Sequence, residues 1–131
     1  MNNNKHLENY FNVINQTSEK IDQTKIGNLI DELLILKGNN GRLFFLGVGG
    51  SAANASHAIN DFRKLCNIQS YSPFDNISEL TARINDEGWE SAIEEWLKVS
   101  KINNKDALFI LSVGGGNLKK NVSVNLINAI K

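Results

Sequence analysis

Residues 44–62 read FFLGVGGSAANASHAINDF. An apolar run ends in a glycine-rich turn, and a small-residue helix follows. A short, continuous apolar run suits a strand of a parallel sheet, covered on both faces. A helix that starts at a glycine turn presents free N–H groups, and the glycines let a ligand approach the backbone. Turns of this kind hold phosphate. Gly47-Val48-Gly49-Gly50-Ser51-Ala52 fits the G-x-G-x-x-A pattern of dinucleotide-binding turns, and Asp75 supplies an acid at the end of the next strand. Two other readings stand beside that one: a turn that only packs strand on helix, and a site for a smaller phosphorylated ligand. His57 and Asp61 weigh toward the last. They lie at i and i+4 on one helix face, and a dinucleotide-binding helix has no use for such a pair.

A second loop repeats the arrangement. Residues 111–117, LSVGGGN, follow another apolar run and are expected to open another helix. If the strands are ordered 2-1-3, the first and third are neighbours, and both glycine loops flank one crevice. Two loops suit a small phosphorylated ligand gripped from both sides.

The rest of the chain supports a parallel α/β reading. Leu7, Tyr10, Phe11 and Ile14 predict an amphipathic helix over 5–19, and Ile26, Ile30, Leu33 and Leu34 a second over 24–37, closed by Gly38. Strands are expected at 43–47, 68–73 and 107–112. Helices are expected at 51–66 with Ser51 as its cap, at 76–84, at 89–99 and from 122 onward. The asparagines at the N-terminus are expected to fray. Strands alternating with helices imply a parallel sheet with right-handed crossovers. Only three strands are counted and the chain ends within a helix, so it reads as one C-terminally truncated domain over 1–131. That domain comprises a helical segment, 1–37, and the first three strands of the core, 38–131.

Composition narrows the function. The 131 residues carry 14 basic and 14 acidic side chains, which argues against a nucleic-acid surface built on bulk charge. One cysteine, Cys66, excludes an intrachain disulfide framework. The polar start, MNNNKHLENY, is unlike a signal peptide, and no apolar run approaches the length of a membrane span. The expectation is a cytoplasmic protein with no membrane and no nucleic-acid partner.

The stretches GVGGSAANASH, INDEGW and LSVGGGN resemble the sugar isomerase (SIS) domain family, and within it the sedoheptulose 7-phosphate isomerase (phosphoheptose isomerase) branch, including members from surface-polysaccharide gene clusters. The likeness spans about Leu7 to Lys131. It implies a flavodoxin-like, doubly wound parallel sheet in three layers, α/β/α, and a homo-dimer or homo-tetramer with sites at subunit interfaces. It places Val48, Gly49 and Gly50, with Ser51, at the sugar phosphate. His57 matches a zinc-binding histidine, and Asp61 matches a glutamate that binds zinc and serves as acid and base. Asn85 and Asp86 match a pair lining the substrate site. Ser112, Val113 and Gly114 match a Ser-Thr-Ser phosphate loop, and Asn117 matches a further serine. The departures are Val48 for asparagine, three hydroxyls lost from the loop, and an aspartate for the glutamate. The family's later glutamine and histidine have no counterpart before Lys131, so the zinc site is incomplete in this chain.

Other residues have plainer readings. Asp61 alone is a surface acid that pairs with Arg63, Lys64 or another chain, and Asn85, Asp86 and Gly88 make an ordinary turn. Glu79 and Arg83 form a helix-surface ion pair. Cys66 is expected buried at a helix end, and Trp89, Ile93, Trp96 and Leu97 on one helix face. Phe44, Phe45, Phe109, Ile110 and Leu111 are sheet core. The functional expectation is an aldose–ketose isomerase forming a heptose 7-phosphate. A non-catalytic SIS module that binds a phosphosugar or a partner protein is the alternative, and a dinucleotide oxidoreductase ranks third.

Overall fold

The computed structural model describes residues 3–131; Met1 and Asn2, expected to fray, lie outside the described residues. Asn3 and Asn4, also expected to fray, are already helical. The elements run α1 (Asn3–Glu19), α2 (Gln23–Gly38), β1 (Leu43–Gly47), α3 (Gly50–Lys64), β2 (Ser70–Tyr71), α4 (Ile77–Glu87), α5 (Ala92–Val99), β3 (Ala107–Leu111) and α6 (Val124–Ile130). The chain divides into two compact units, one up to Leu34 and one from Ile35.

The first unit is helical. Asp22 caps α2 by accepting from the N–H groups of Thr24 and Lys25. No described residue before Leu36 is buried. Leu7, Tyr10, Phe11 and Ile14 on α1, and Ile26, Ile30 and Leu34 on α2, keep the helical spacing and stand exposed.

The second unit is a three-stranded parallel sheet ordered β2-β1-β3, as expected. The central strand β1 is buried at every position and sends alternate side chains to opposite faces. Phe45 meets Phe62 of α3, with ring centroids 5.3 Å apart. Phe44 and Leu46 pack with Ile93 and Leu97 of α5 and Leu126 of α6. Helices therefore cover both faces, and the unit has three layers. By contrast β3 is only half-buried throughout, because its outer edge has no neighbouring strand among the described residues.

Several boundaries differ from expectation, each for a local reason. The strand expected over 68–73 pairs only at Ser70 and Tyr71. Beyond them Ser72 turns, its N–H donating to Asp75 Oδ2 at 3.1 Å, so Asp75 closes a turn. Ser51 is not a cap: Gly49 occupies the N-cap of α3 with φ 61°, and no side chain caps that end. Cys66 is exposed rather than buried, because α3 ends at Lys64 and the chain turns outward after it. Trp89 sits in the turn before α5, not on its face. Asn85 and Asp86 belong to the last turn of α4, which Gly88 closes with φ 88°.

Candidate functional site

Parallel pairing of β1 with β3 runs from Leu43 opposite Ala107 to Gly47 opposite Leu111. The next residue on each strand begins a glycine loop, so both loops leave the same edge of the sheet. There they enclose a cavity of about 210 Å³ lined by Val48, Ser51, Leu111, Ser112, Val113, Gly114, Ser123 and Leu126. Five of the predicted residues meet at this cavity: Val48, Ser51, Ser112, Val113 and Gly114. Its polar groups are three serine hydroxyls and loop backbone; its walls are valine and leucine. No lining residue carries a charge.

The first loop is held by geometry rather than by side chains. A Cβ on Gly47 would lie 2.7 Å from the Ser51 carbonyl, so only glycine lets β1 come this close to α3. The uncapped start of α3 faces the same edge. Such an end carries partial positive charge and free donors.

The second loop does not open a helix directly, contrary to expectation. Twelve residues separate β3 from α6, numbered 112–123. The Gly115 N–H donates to Ser112 Oγ at 3.1 Å, closing the first bend. Asn117 and Val122 then exchange backbone hydrogen bonds of 2.8 and 3.0 Å, pinching off a tight turn. Asn117 Oδ1 accepts from the Lys120 N–H at 3.0 Å, so this oxygen is engaged in the turn. The pinch carries the chain back to Ser123, which returns to the cavity wall in the left-handed region with φ 50°. Ser123, Leu111 and Leu126 were not foreseen as lining residues. Serine just before an apolar run was the one available signal for Ser123.

The remaining predicted residues lie apart from the cavity lining. His57 Nε2 stands 3.4 Å from Asp61 Oδ2, with their side chains 80% and 44% exposed. The Asn60 amide also donates to Asp61 Oδ1 at 3.3 Å. Asp61 thus pairs with His57 rather than with Arg63 or Lys64. His57 is six residues beyond Ser51, about 9 Å along the helix axis. The Asn85 amide donates to Asp86 Oδ1 at 2.7 Å on the exposed end of α4. Gly49 and Gly50 are exposed at the cavity mouth but do not line it. Among the described residues no three histidine, cysteine or acidic side chains come together. His57 and Asp61 alone fall short of the roughly three protein ligands a zinc ion takes. The described residues do not by themselves fit zinc.

The opposite edge of the sheet holds the strongest polar cluster, which the sequence did not announce. Arg42 and Asp106 precede the first paired residues of β1 and β3. The Arg42 guanidinium lies 2.6 Å from Asp106 Oδ2, and Asp106 also accepts from the Arg42 and Asn103 N–H groups. Arg42 further donates to the carbonyls of Ser100 and Lys101 and lies over the Phe44 ring. Burial alone would raise the Asp106 carboxyl. The hydrogen bonds from Arg42 and Asn103, with the guanidinium charge, outweigh burial and hold it below the usual carboxylate range.

No family model and no curated protein matches the chain. A solved structure does. Phosphoheptose isomerase GmhA from Neisseria gonorrhoeae matches with a TM-score of 0.81 and 23% identity, covering 99% of this chain and 67% of that one. This chain has the phosphoheptose isomerase fold. At that identity the likeness is one of fold, and it extends over α1 and α2 as well as the sheet.

Proposed function

We propose that the chain is a sugar-phosphate isomerase acting on sedoheptulose 7-phosphate, giving a heptose 7-phosphate for surface polysaccharide synthesis. One observation carries the reading: two glycine loops converge on a cavity at the C-terminal edge of a sheet whose fold is that of a phosphoheptose isomerase. The cavity takes the phosphate, with Gly49 and Gly50 admitting it at its mouth. The His57–Asp61 pair lies further along α3, and a seven-carbon chain suits that separation. Asp61 removes a proton from the hydroxyl-bearing carbon beside the carbonyl and returns it to the former carbonyl carbon through an enediol, while that hydroxyl's proton passes to the former carbonyl oxygen. His57 orients the carboxylate. Asn85 and Asp86 contact the sugar hydroxyls. Phosphate binding, remote from the reacting carbons, holds them in place.

A second reading is favoured by the exposure of His57 and Asp61 and by the absence of a third metal ligand among the described residues. On it the chain is a non-catalytic module that binds a phosphosugar. Turnover of sedoheptulose 7-phosphate, with binding followed by calorimetry, separates the two. The isomerase reading expects turnover that falls about 10²–10⁴-fold in Asp61→Asn while binding persists. Saturable binding without turnover in the unaltered chain supports the module instead.

The exposed stripe of Leu7, Tyr10, Phe11 and Ile14 is covered, on this reading, by a second copy of the chain in a homo-dimer or homo-tetramer. Contiguous apolar surface of this kind marks an interface. Light scattering should give a multiple of the chain mass at micromolar concentration; a monomer overturns the assembly.

A further inference from the structure

The cavity lacks a feature that a phosphate ester calls for. Its lining offers three hydroxyls and backbone donors but no cation. A phosphate monoester carries close to two negative charges near neutral pH, and helix-end partial charges offset only part of that. The nearest cations in sequence lie on the turn pinched off between the two walls of the cavity. Lys119 and Lys120 are adjacent, exposed and free of any ion pair among the described residues. Elsewhere in the second unit Arg42 binds Asp106, Arg83 binds Glu79 and Glu87, and Lys98 binds Glu94 and Glu95, while Lys37, Lys64, Lys101 and Lys105 stand outside any ion pair among the described residues but are remote in sequence from the residues that line the cavity.

The turn is also fixed in place. The paired backbone bonds of Asn117 with Val122, the Asn117 side chain on the Lys120 N–H, and the Asn121 N–H on the Leu118 carbonyl hold it. Gly116 lies flat against Ile127 of α6, where a Cβ would come within 2.8 Å of that side chain. Lys120 is three residues from Ser123 on the cavity wall, a span of at most about 11 Å even when extended. The long flexible stem of lysine covers much of such a gap. Twelve residues separate β3 from α6, and the turn among them carries two lysines within a few residues of the cavity wall.

We propose that Lys119 and Lys120 form a cationic arm that closes over the phosphate held by Ser51, Ser112, Ser123 and the loop backbone. The ligand class is then a dianionic phosphate monoester rather than a neutral sugar. The inference rests on the phosphosugar reading above and adds the residues that supply the charge.

The test uses sedoheptulose 7-phosphate and inorganic phosphate as probes, with calorimetry on the full chain at two salt concentrations. The double variant Lys119→Gln/Lys120→Gln should bind the sugar phosphate about tenfold more weakly or worse, with a flatter dependence on salt. Lys119→Arg/Lys120→Arg should keep affinity close to that of the unaltered chain. Lys105→Gln, just before the other end of β3, should leave binding unchanged. Equal affinity in the double glutamine variant overturns the arm while leaving the phosphosugar reading standing. An equal loss in Lys105→Gln also overturns it, since net charge alone then explains the effect. If the unaltered chain binds neither probe, the phosphosugar reading itself fails, and the arm with it.

Discussion

The two ends of β1 and β3 are built on opposite principles. At the N-terminal end, Arg42 and Asp106 sit one residue before the first pair of the register, and their charges are matched by each other and by nearby backbone. At the C-terminal end, Val48 and Ser112 sit one residue after the last pair and open into a cavity with serine hydroxyls, a bare helix start and glycines at positive φ. At the first end the Arg42 guanidinium and backbone N–H both have partners within the fold. Donors at the second have fewer partners inside the chain, and on the proposed reading they are left for the phosphate. If the proposed site is right, stability and binding are separated along five residues of strand, and each end can be damaged with little harm to the other.

The largest expected effect is at the closed end. Asp106→Ala leaves a half-buried guanidinium without its partner, and breaking such a pair costs about 3 kcal/mol. Thermal denaturation followed by circular dichroism should show a melting temperature lower by roughly 10 °C. Ligand affinity in the folded fraction should be unchanged. A variant that melts normally would mean that the pair contributes nothing and the contrast between the ends is false.

Acid sharpens the same end. The Asp106 carboxyl is held below its ordinary value, near 4 for an unfolded aspartate, so the unfolded chain takes up its proton first. Stability from this group is therefore complete above about pH 5. It is lost as pH falls through the unfolded and then the folded value. Urea midpoints measured from neutral pH down to about pH 3 should fall more steeply in the unaltered chain than in Asp106→Asn, whose curve is flatter and lower throughout. Parallel curves would remove Asp106 from the account.

At the open end the balance reverses. Gly115 has φ 66°, and a Cβ there would meet nothing within 4 Å. Gly115→Ala should cost only about 1 kcal/mol of stability, the strain of an alanine in the left-handed region. On the proposed reading the strained alanine shifts the bend that Gly115 makes with Ser112 beside the phosphate, and sugar-phosphate affinity should fall about tenfold. Unchanged affinity would place the ligand elsewhere.

The sequence revealed the open end better than the closed one, for a physical reason. Strand and glycine turn are local patterns, and β1 falls at 43–47 as its apolar run predicts. The order 2-1-3 was the arrangement that puts the two glycine loops side by side at one crevice, and the sheet has that order. The Arg42–Asp106 pair joins residues 64 positions apart, and no periodicity marks a contact of that kind. The pinched turn of 117–122 is made by backbone hydrogen bonds, which leave no side-chain pattern, so the start of α6 was set too early and Ser123 was missed. The exposure of Cys66 and the brevity of β2 depended on where the chain turned after α3 and at Ser72, choices settled by single hydrogen bonds.

The smallest effect tests the finest part of the contrast. Val113 lines the cavity yet is fully exposed, at 104% of its reference area, and so contributes no packing. Such a residue is free to change without cost to the fold, and Val113→Thr should alter stability by less than about 0.5 kcal/mol. Threonine keeps the β-branched shape and adds a hydroxyl at a position where the resembling family carries one. A hydroxyl on phosphate is worth about 1 kcal/mol net, so affinity should rise roughly fivefold. The gain should be absent in the Gly115→Ala background, where phosphate no longer reaches the loop. A gain in both backgrounds would mean that the hydroxyl acts away from the loop backbone, and the two loops would then not grip one phosphate between them.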